Sequence, residues 1–539
     1  MTVPRLVTAG RFDPGALFGP ASIAVIGADT EAGGQILANL AMGGFKGEVY
    51  TKLVKDVSLA VLAVPPEQIG DSMTAMAEAN CFAAIVPGSA DDLAEHALRT
   101  GVRALGPHSF GLAVPRLQLN ATRSHIEPPP GRVALISQSS ALSRAVIDWA
   151  APNGVGFSHV IGLGANADVG FAMTLDWLSR DAGTGAILLD IRRLRDHRQF
   201  VSAARAAARL RPVVAIRAGL RLLDEDGAAD LSFEAGLRRA GVLFVDRLED
   251  LLASAKTLSR ARPARCDTLA IVSNAIGPGR LAADCVLREG LSLMPDDAPD
   301  HGILHVASTD VAATAYALAA RPKIGGVLVV HAPQGAPDEA IIAGLCQPPR
   351  DLRAPLLVCA MGETTGAIHR AALVRAGLPV FATPDQAVRG FGYLVRDRRN
   401  REAALELPSS RVLDIAPERE RVRRCFDRAR ATGCLTLAQD EALDILSAYG
   451  IATVPTRLAA SPADAVAAAE AVGFPVVMKL RNRAAPADRP LGSLAFDLHD
   501  AAQVTAAAQL LWSRFPHADA TGALLVQHYV GRAREVAIR

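Results

Sequence analysis

Three segments of this 539-residue chain place small, hydroxyl and amide residues directly behind an apolar run. Gly27-Ala28-Asp29 follows Ser22-Ile23-Ala24-Val25-Ile26, and Ser137-Gln138-Ser139-Ser140 follows Arg132-Val133-Ala134-Leu135-Ile136. The third, Ser273-Asn274-Ala275-Ile276-Gly277-Pro278-Gly279, follows Thr268-Leu269-Ala270-Ile271-Val272. Each reads as a buried parallel strand that ends in a tight turn and feeds a helix N-terminus, where unpaired N–H groups and the helix dipole favour an anion. A fourth candidate is Lys479, one of only six lysines, within the apolar strand Phe474-Pro475-Val476-Val477-Met478-Lys479-Leu480. A lysine there must snorkel, meet a counter-charge or hold a phosphate, because unpaired burial is costly.

The elements that must position these residues alternate strand and helix along most of the chain. Leu59-Ala60-Val61-Leu62-Ala63-Val64 is a second buried strand of the first unit and stops at Pro65-Pro66. The Pro-rich stretch Glu127-Pro128-Pro129-Pro130-Gly131 reads as a connector into a second unit, with strands at Ala186 to Asp190 and Pro212 to Arg217. A third unit has strands at Val327 to Val330 and Leu356 to Cys359. After Pro408 the pattern changes to an Ala-rich amphipathic stretch followed by the Lys479 strand. The predicted boundaries are therefore 1–126, 127–262, 263–407, a linker at 408–434 in which Arg alternates with Asp and Glu, and 435–539.

Length allows three to four domains, and 50% hydrophobic residues suffice for several cores. Basic and acidic residues nearly balance at 57 against 55, without a basic stripe interleaved with aromatics, so nucleic acid is not an expected partner. The absence of a charged leader and of any apolar run of membrane-spanning length argues against secretion and insertion and makes the cytoplasm the default. Seven scattered cysteines, none spaced as C-x-x-C, suggest neither a disulfide framework nor a zinc site, and no residue is assigned to a metal.

Taken together, Gly27-Ala28, Leu105-Gly106-Pro107, Ile136-Ser137-Gln138-Ser139 with Ala141-Leu142, Ala167-Asp168-Val169 and the helix-then-Lys479 segment resemble the ADP-forming acyl-CoA synthetases of the succinyl-CoA synthetase superfamily. The resemblance covers nearly the whole chain. It implies an α/β protein with a CoA-binding Rossmann domain (1–126), two flavodoxin-like, succinyl-CoA synthetase-like domains (127–262 and 263–407) and a partial ATP-grasp module (435–539). CoA or acyl-CoA is the implied cofactor, with its phosphates near Gly27, Asp29 and Gly33 and its pantetheine passing Val64 and Pro65. Ser139 and Ser140 in the second domain and Lys479 in the last complete the implied binding residues. Phe157, Asp190 to Phe200 and Ser202-Ala203-Ala204-Arg205 are most similar to the synthetase-like portion of bacterial protein lysine acetyltransferases, where such a core is fused to a GNAT-type domain.

Departures from that pattern shape the functional expectation. The family's phosphorylated histidine is implied shortly after Arg217-Ala218-Gly219, but no histidine occurs between Gln199 and Asp300. The glutamate implied to steady it falls at Arg192, or at Asp190 if the alignment shifts by two residues. His108 stands where the family has Asn, and Ala487-Asp488 stand where it has a His-Lys pair. Only Thr51 to Val57 separate Tyr50 from Ser58, which removes part of the implied CoA contact surface. The sequence ends just after Leu524-Leu525-Val526-Gln527 and Arg534-Glu535-Val536, so half an ATP-grasp clamp is not expected to hold MgATP. The preferred reading is a degenerate CoA- or acyl-CoA-binding protein without catalytic residues, the regulatory core of a protein acetyltransferase, with a GNAT-type domain or protein as a possible partner. The alternatives are an active ADP-forming acyl-CoA synthetase and a structural remnant. On the preferred reading the strand at 523–527 lacks neighbours and leaves an apolar edge open.

Overall fold

The computed structural model describes residues 12–219, 228–295, 302–306, 310–335, 338–349, 352–405, 417–431, 433, 436–481, 492–515 and 523–531. The chain divides into two compact units, 1–406 and 407–539.

The first unit contains three sheets, whose central strands are apolar runs buried on both faces that pair in parallel beneath covering helices. The first sheet comprises β1 (Ser22–Ile26), β2 (Glu48–Tyr50), β3 (Leu59–Leu62), β4 (Ala83–Ile85) and β5 (Arg103–Leu105), in the order β2-β1-β3-β4-β5. The second holds β6 (Gly111–Val114), β7 (Leu119–Thr122), β8 (Pro130–Ser137), β9 (Phe157–Gly162), β10 (Ala186–Ile191), β11 (Val213–Arg217) and β12 (Leu243–Val245), ordered β12-β11-β10-β8-β9-β6-β7. The third has β13 (Thr268–Ser273), β14 (Ser292–Leu293), β15 (Ile303–His305), β16 (Gly326–His331), β17 (Leu356–Ala360) and β18 (Val380–Phe381), ordered β14-β13-β16-β17-β18 with β15 also on β13.

One topology is thus used three times. In each sheet the strand that ends in a polar turn has the next strand on one side and the third on the other, the 2-1-3-4-5 order in which ligands enter between the carboxyl ends of strands one and three. Those crevices lie between β1 and β3, β8 and β10, and β13 and β16.

The hairpin β6–β7 departs from the expected boundary at 126. It precedes that position in sequence, yet β6 pairs antiparallel with β9 and joins the second sheet. The apolar core follows it: Val25 and Leu40 of the first α/β unit share one packed cluster with Leu112, Ile136, Ile161 and Phe200. The loop after β9 also runs along the end of β5. Ala165 N donates to Pro107 O at 2.8 Å and Ala167 N to Gly106 O at 3.0 Å, and Asp168 pairs with Arg103 at 2.8 Å.

The second compact unit has one antiparallel sheet, β19 (Thr456–Ala459), β20 (Val476–Leu480), β21 (Leu494–Leu498) and β22 (Leu524–His528), ordered β19-β22-β20-β21. This corrects the expectation of an open edge at 523–527. β22 lies between β19 and β20, paired with both, and Leu524 and Val526 are fully buried. The segment read as a linker contains the helix Arg419–Ala431, which packs Cys425 against the helix Gln439–Ala448 through a contact of its thiol with Glu441 O. Residues 408–416 of that segment lie outside the described residues, as do the 220–227 loop, Ala487-Asp488 and Arg534 to Val536. Among the described residues no helix is long and apolar enough to cross a membrane.

Candidate functional site

At the first crevice the chain leaves β1 through Gly27, whose φ is +82°. A Cβ at Gly27 would lie 2.3 Å from Ala63 O, and one at Gly33 would lie 2.1 Å from Gly27 O, so only glycine lets the turn, the following helix and the end of β3 meet this closely. Thr30 caps the helix Glu31–Gly43: its Oγ1 accepts from Gly33 N at 3.1 Å and donates to Gly27 O at 2.7 Å. The same hydroxyl reaches Ala63 O at 3.1 Å, which ties the turn to the third strand. Val64 follows at the rim, while Asp29 and Pro65 are exposed on either side of the crevice. Gly27, Asp29, Gly33, Val64 and Pro65, separated by 38 residues in sequence, are therefore assembled around one helix N-terminus.

The second crevice is built from side chains as well as backbone. Ser139 is the N-cap of the helix Ser140–Ala150, with its Oγ accepting from Leu142 N at 3.2 Å, and Ser140 is the first helical residue. Ser137, at the end of β8, accepts from Ser139 N at 2.9 Å, and its hydroxyl reaches Asp190 Oδ2 of β10 at 2.7 Å. Gln138 extends across the crevice, where its Oε1 accepts from Arg192 N at 2.7 Å and Arg193 N at 2.9 Å. Asp190 is buried, and burial raises its pKa above the carboxylate range, opposed by the Ser137 hydroxyl, the Arg192 charge and nearby backbone N–H groups. Arg192, Arg193 and Arg195 are exposed on the loop beyond it, which ends at Asp196, the N-cap of the helix His197–Leu210, and they give that loop a net positive charge. The result is a helix N-terminus held rigidly beneath a basic rim, which suits a phosphate or an acyl phosphate.

In the third crevice Ser273 Oγ accepts from Ala275 N at 3.2 Å, and Asn274 forms a pair of bonds with the backbone of Ala332, 2.7 Å to its carbonyl and 2.9 Å from its N–H. His331, which ends β16, is fully buried there, and burial pushes its pKa down against the pull of Asp338.

Lys479 projects from β20 and donates to Gln527 Oε1 of the neighbouring β22 at 2.8 Å. Two residues on, Arg481 pairs with Asp440 at 3.0 Å and Glu441 at 3.3 Å.

Sequence reasoning did not assign Gln138 or His331 to a site, and it raised Asp190 only as a shifted-alignment alternative to Arg192. For Asp190 a signal existed, a carboxylate closing the otherwise apolar run Ala186-Ile187-Leu188-Leu189. Ser139 was expected at a phosphate, and its hydroxyl serves the helix cap.

Comparisons with known proteins agree with this architecture. Residues 130–258 match the succinyl-CoA ligase-like flavodoxin domain and residues 428–539 an ATP-grasp domain. The chain is 27% identical over 532 residues to an ADP-forming acetate–CoA ligase of Archaeoglobus fulgidus, covering 86% of this chain and 75% of the relative. An ADP-forming 4-hydroxybutyrate–CoA ligase of Nitrosopumilus maritimus is 23% identical, covering 86% and 75%. The fold is shared with acetyl-CoA synthetase 1 of Ca. Korarchaeum cryptofilum, a structure in complex with phosphate and ADP, at a TM-score of 0.67 and 23% identity, over 74% of this chain and all of that one. The chain is thus an α/β protein related to the ADP-forming acetyl-CoA synthetases, carrying a succinyl-CoA ligase-like domain and an ATP-grasp domain. The relatives that span it are acid–thiol ligases, which overturns the expectation of a degenerate regulatory core of a protein acetyltransferase. The ATP-grasp match and the ADP-forming relatives likewise remove the ground for discounting MgATP.

Proposed function

We propose that this protein is an ADP-forming acyl-CoA synthetase, an acid–thiol ligase that joins a small carboxylate to CoA with conversion of ATP to ADP and phosphate. The observation that carries the reading is the 27% identity over 532 residues to an acetate–CoA ligase of this kind, running through both matched domains. In this reading residues 1–126 form the CoA-binding domain, 127–262 and 263–407 the flavodoxin-like domains, and 435–539 the nucleotide module. The CoA phosphates approach Gly27, Asp29 and Gly33 and the pantetheine passes Val64 and Pro65. Ser140 and the helix that Ser139 caps receive the phosphoryl group, and Lys479 supplies a charge to the nucleotide phosphates. No membrane or nucleic-acid partner is required, and the cytoplasm supplies all three substrates.

The chemistry balances without a histidyl carrier. The carboxylate oxygen attacks the γ-phosphorus of ATP, a P–O bond forms and ADP leaves. The CoA thiolate then attacks the carbonyl of the acyl phosphate, the C–S bond forms, and phosphate leaves with the electron pair of the C–O bond. This route fits a chain with no histidine between Gln199 and Asp300. Positive charge at Arg192 and the helix N-terminus stabilises the leaving phosphate.

The test is a coupled assay on the purified chain with MgATP, CoA and a panel of short carboxylates, reading thioester and ADP together. Equal amounts of both, with no acid-labile protein phosphate, are expected. No thioester with any carboxylate tested, at concentrations that saturate CoA binding, would overturn the proposal.

A further inference from the structure

The end of β16 in the third unit carries a cluster of buried ionisable side chains. His331 ends β16, Asp338 opens the helix Asp338–Leu345, and His369 lies on the helix Thr364–Arg375. Their exposures are 1%, 2% and 8%, and one donor atom from each lies within 4.8 Å of the other two. His331 Nε2 is 3.4 Å from Asp338 Oδ1, and the two imidazole centroids are 5.5 Å apart.

Among the described residues, neither His331 Nε2 nor His369 Nδ1 has a hydrogen-bond partner. A buried polar atom left so costs about 1–3 kcal/mol, and a bound ion is one of the few explanations for two of them within one cluster of three residues. Asp338 is held in place from behind: its carboxylate accepts from Gln334 N at 3.0 Å and Gly335 N at 3.1 Å. Oδ1 also accepts from Gln334 N at 3.1 Å and keeps a further lone pair on the side of His331 Nε2, 3.4 Å away.

We propose that His331, Asp338 and His369 bind one divalent first-row transition metal ion, with zinc the best match to two imidazoles and a carboxylate. Tetrahedral zinc with bonds of about 2.1 Å holds its ligand atoms about 3.4 Å apart. The His331–Asp338 edge already has that length, and the other edges, at most 4.8 Å, must contract by up to about 1.4 Å, within reach of side-chain rotation. A ring that ligates through Nε2 carries its proton on Nδ1, which here faces the Asn274 amide nitrogen at 3.3 Å. Loading therefore gives up that contact and leaves the site weaker than one whose outer nitrogen meets a carboxylate. The ion would join a strand and two helices of the third domain, a role independent of the ligase reading.

Cobalt(II) titration of the full chain, stripped with EDTA and desalted, tests this directly. One equivalent should give visible d–d bands of a nitrogen–oxygen site, displaced by zinc, without the near-ultraviolet band of a cobalt–thiolate bond, and should raise the melting temperature. Asp338→Asn, nearly isosteric, and His369→Ala should each weaken cobalt binding roughly tenfold or more, while His499→Ala on the surface should not. Absence of d–d bands at one equivalent, a thiolate band, or full affinity in both Asp338→Asn and His369→Ala would overturn the assignment.

Discussion

The crevices of the first and third α/β units have the same strand order and are furnished in opposite ways. Between β1 and β3 the walls are backbone: Gly27 and Gly33 have no room for a Cβ, and the titratable groups nearby are on the exposed rim. At the end of β16 in the third unit, two histidines and an aspartate are gathered instead, all buried. The first arrangement admits a large anion against free N–H groups, and the second leaves space for a single small cation. Topology fixes where a ligand can enter, and the residues at the strand ends decide its sign and size.

Glycine substitutions should break this contrast most visibly. Gly27→Val sets a side chain 2.3 Å from Ala63 O at a φ of +82°, a double penalty expected to cost about 3 kcal/mol or more and to abolish CoA-dependent thermal stabilisation. In the third unit Asn274 holds the place of Gly27, and the glycine nearest it that packs on a strand, Gly279 in the helix Ile276–Arg288, has its nearest neighbour at 3.0 Å and no positive φ, so Gly279→Ala should cost much less. Calorimetric melting of both variants checks the pair, and equal losses would remove the distinction.

Helix caps sharpen it at a smaller scale. The second crevice has Ser139 as N-cap, whereas the third has Ala275 with an extended backbone and no side-chain cap. Ser139→Ala should destabilise by about 1 kcal/mol and Ala275→Ser should stabilise by a few tenths to about 1 kcal/mol, read from denaturant midpoints at constant slope.

The smallest effect is a change of slope with pH at Asp190. Because burial raises its folded pKa, the folded chain holds that proton more firmly than the unfolded chain does. Its stabilising contribution is complete below the ordinary carboxylate range and is lost as pH rises through the folded value. Asp190→Asn keeps an acceptor for Ser137 and cannot titrate, so its stability should fall less than that of the parent between acidic and neutral pH. Parallel curves would show that the group does not titrate differently on folding.

Much of this was legible from the residues. Runs such as Leu59 to Leu62 and Val327 to Val330 announced buried parallel strands, and the glycines and serines behind them announced turns at helix starts, because those signals are local. What stayed hidden was set by pairing over long separations. The neighbours of β22 come from 456–459 and 476–480, and nothing in Leu524 to Gln527 marks it as interior. His331 and His369 meet because β16 follows β13 in space while the helix after β17 folds back over it. Their sequence spacing of 38 residues resembles no metal motif. The functional reading erred for a related reason: the missing histidine was weighed as loss of catalysis, although relatives that span the chain are ligases.

The interior position of β22 also bears on synthesis. The ribosome delivers β19, β20 and β21 before the strand that separates β19 from β20, so the nascent module waits with two unmatched edges until β22 emerges. Strand-by-strand growth in chain order is impossible for this sheet, and the arrival of β22 becomes its committing step. Stalled or nicked chains ending before Leu524 would expose both edges at once, a natural target for chaperone capture or degradation.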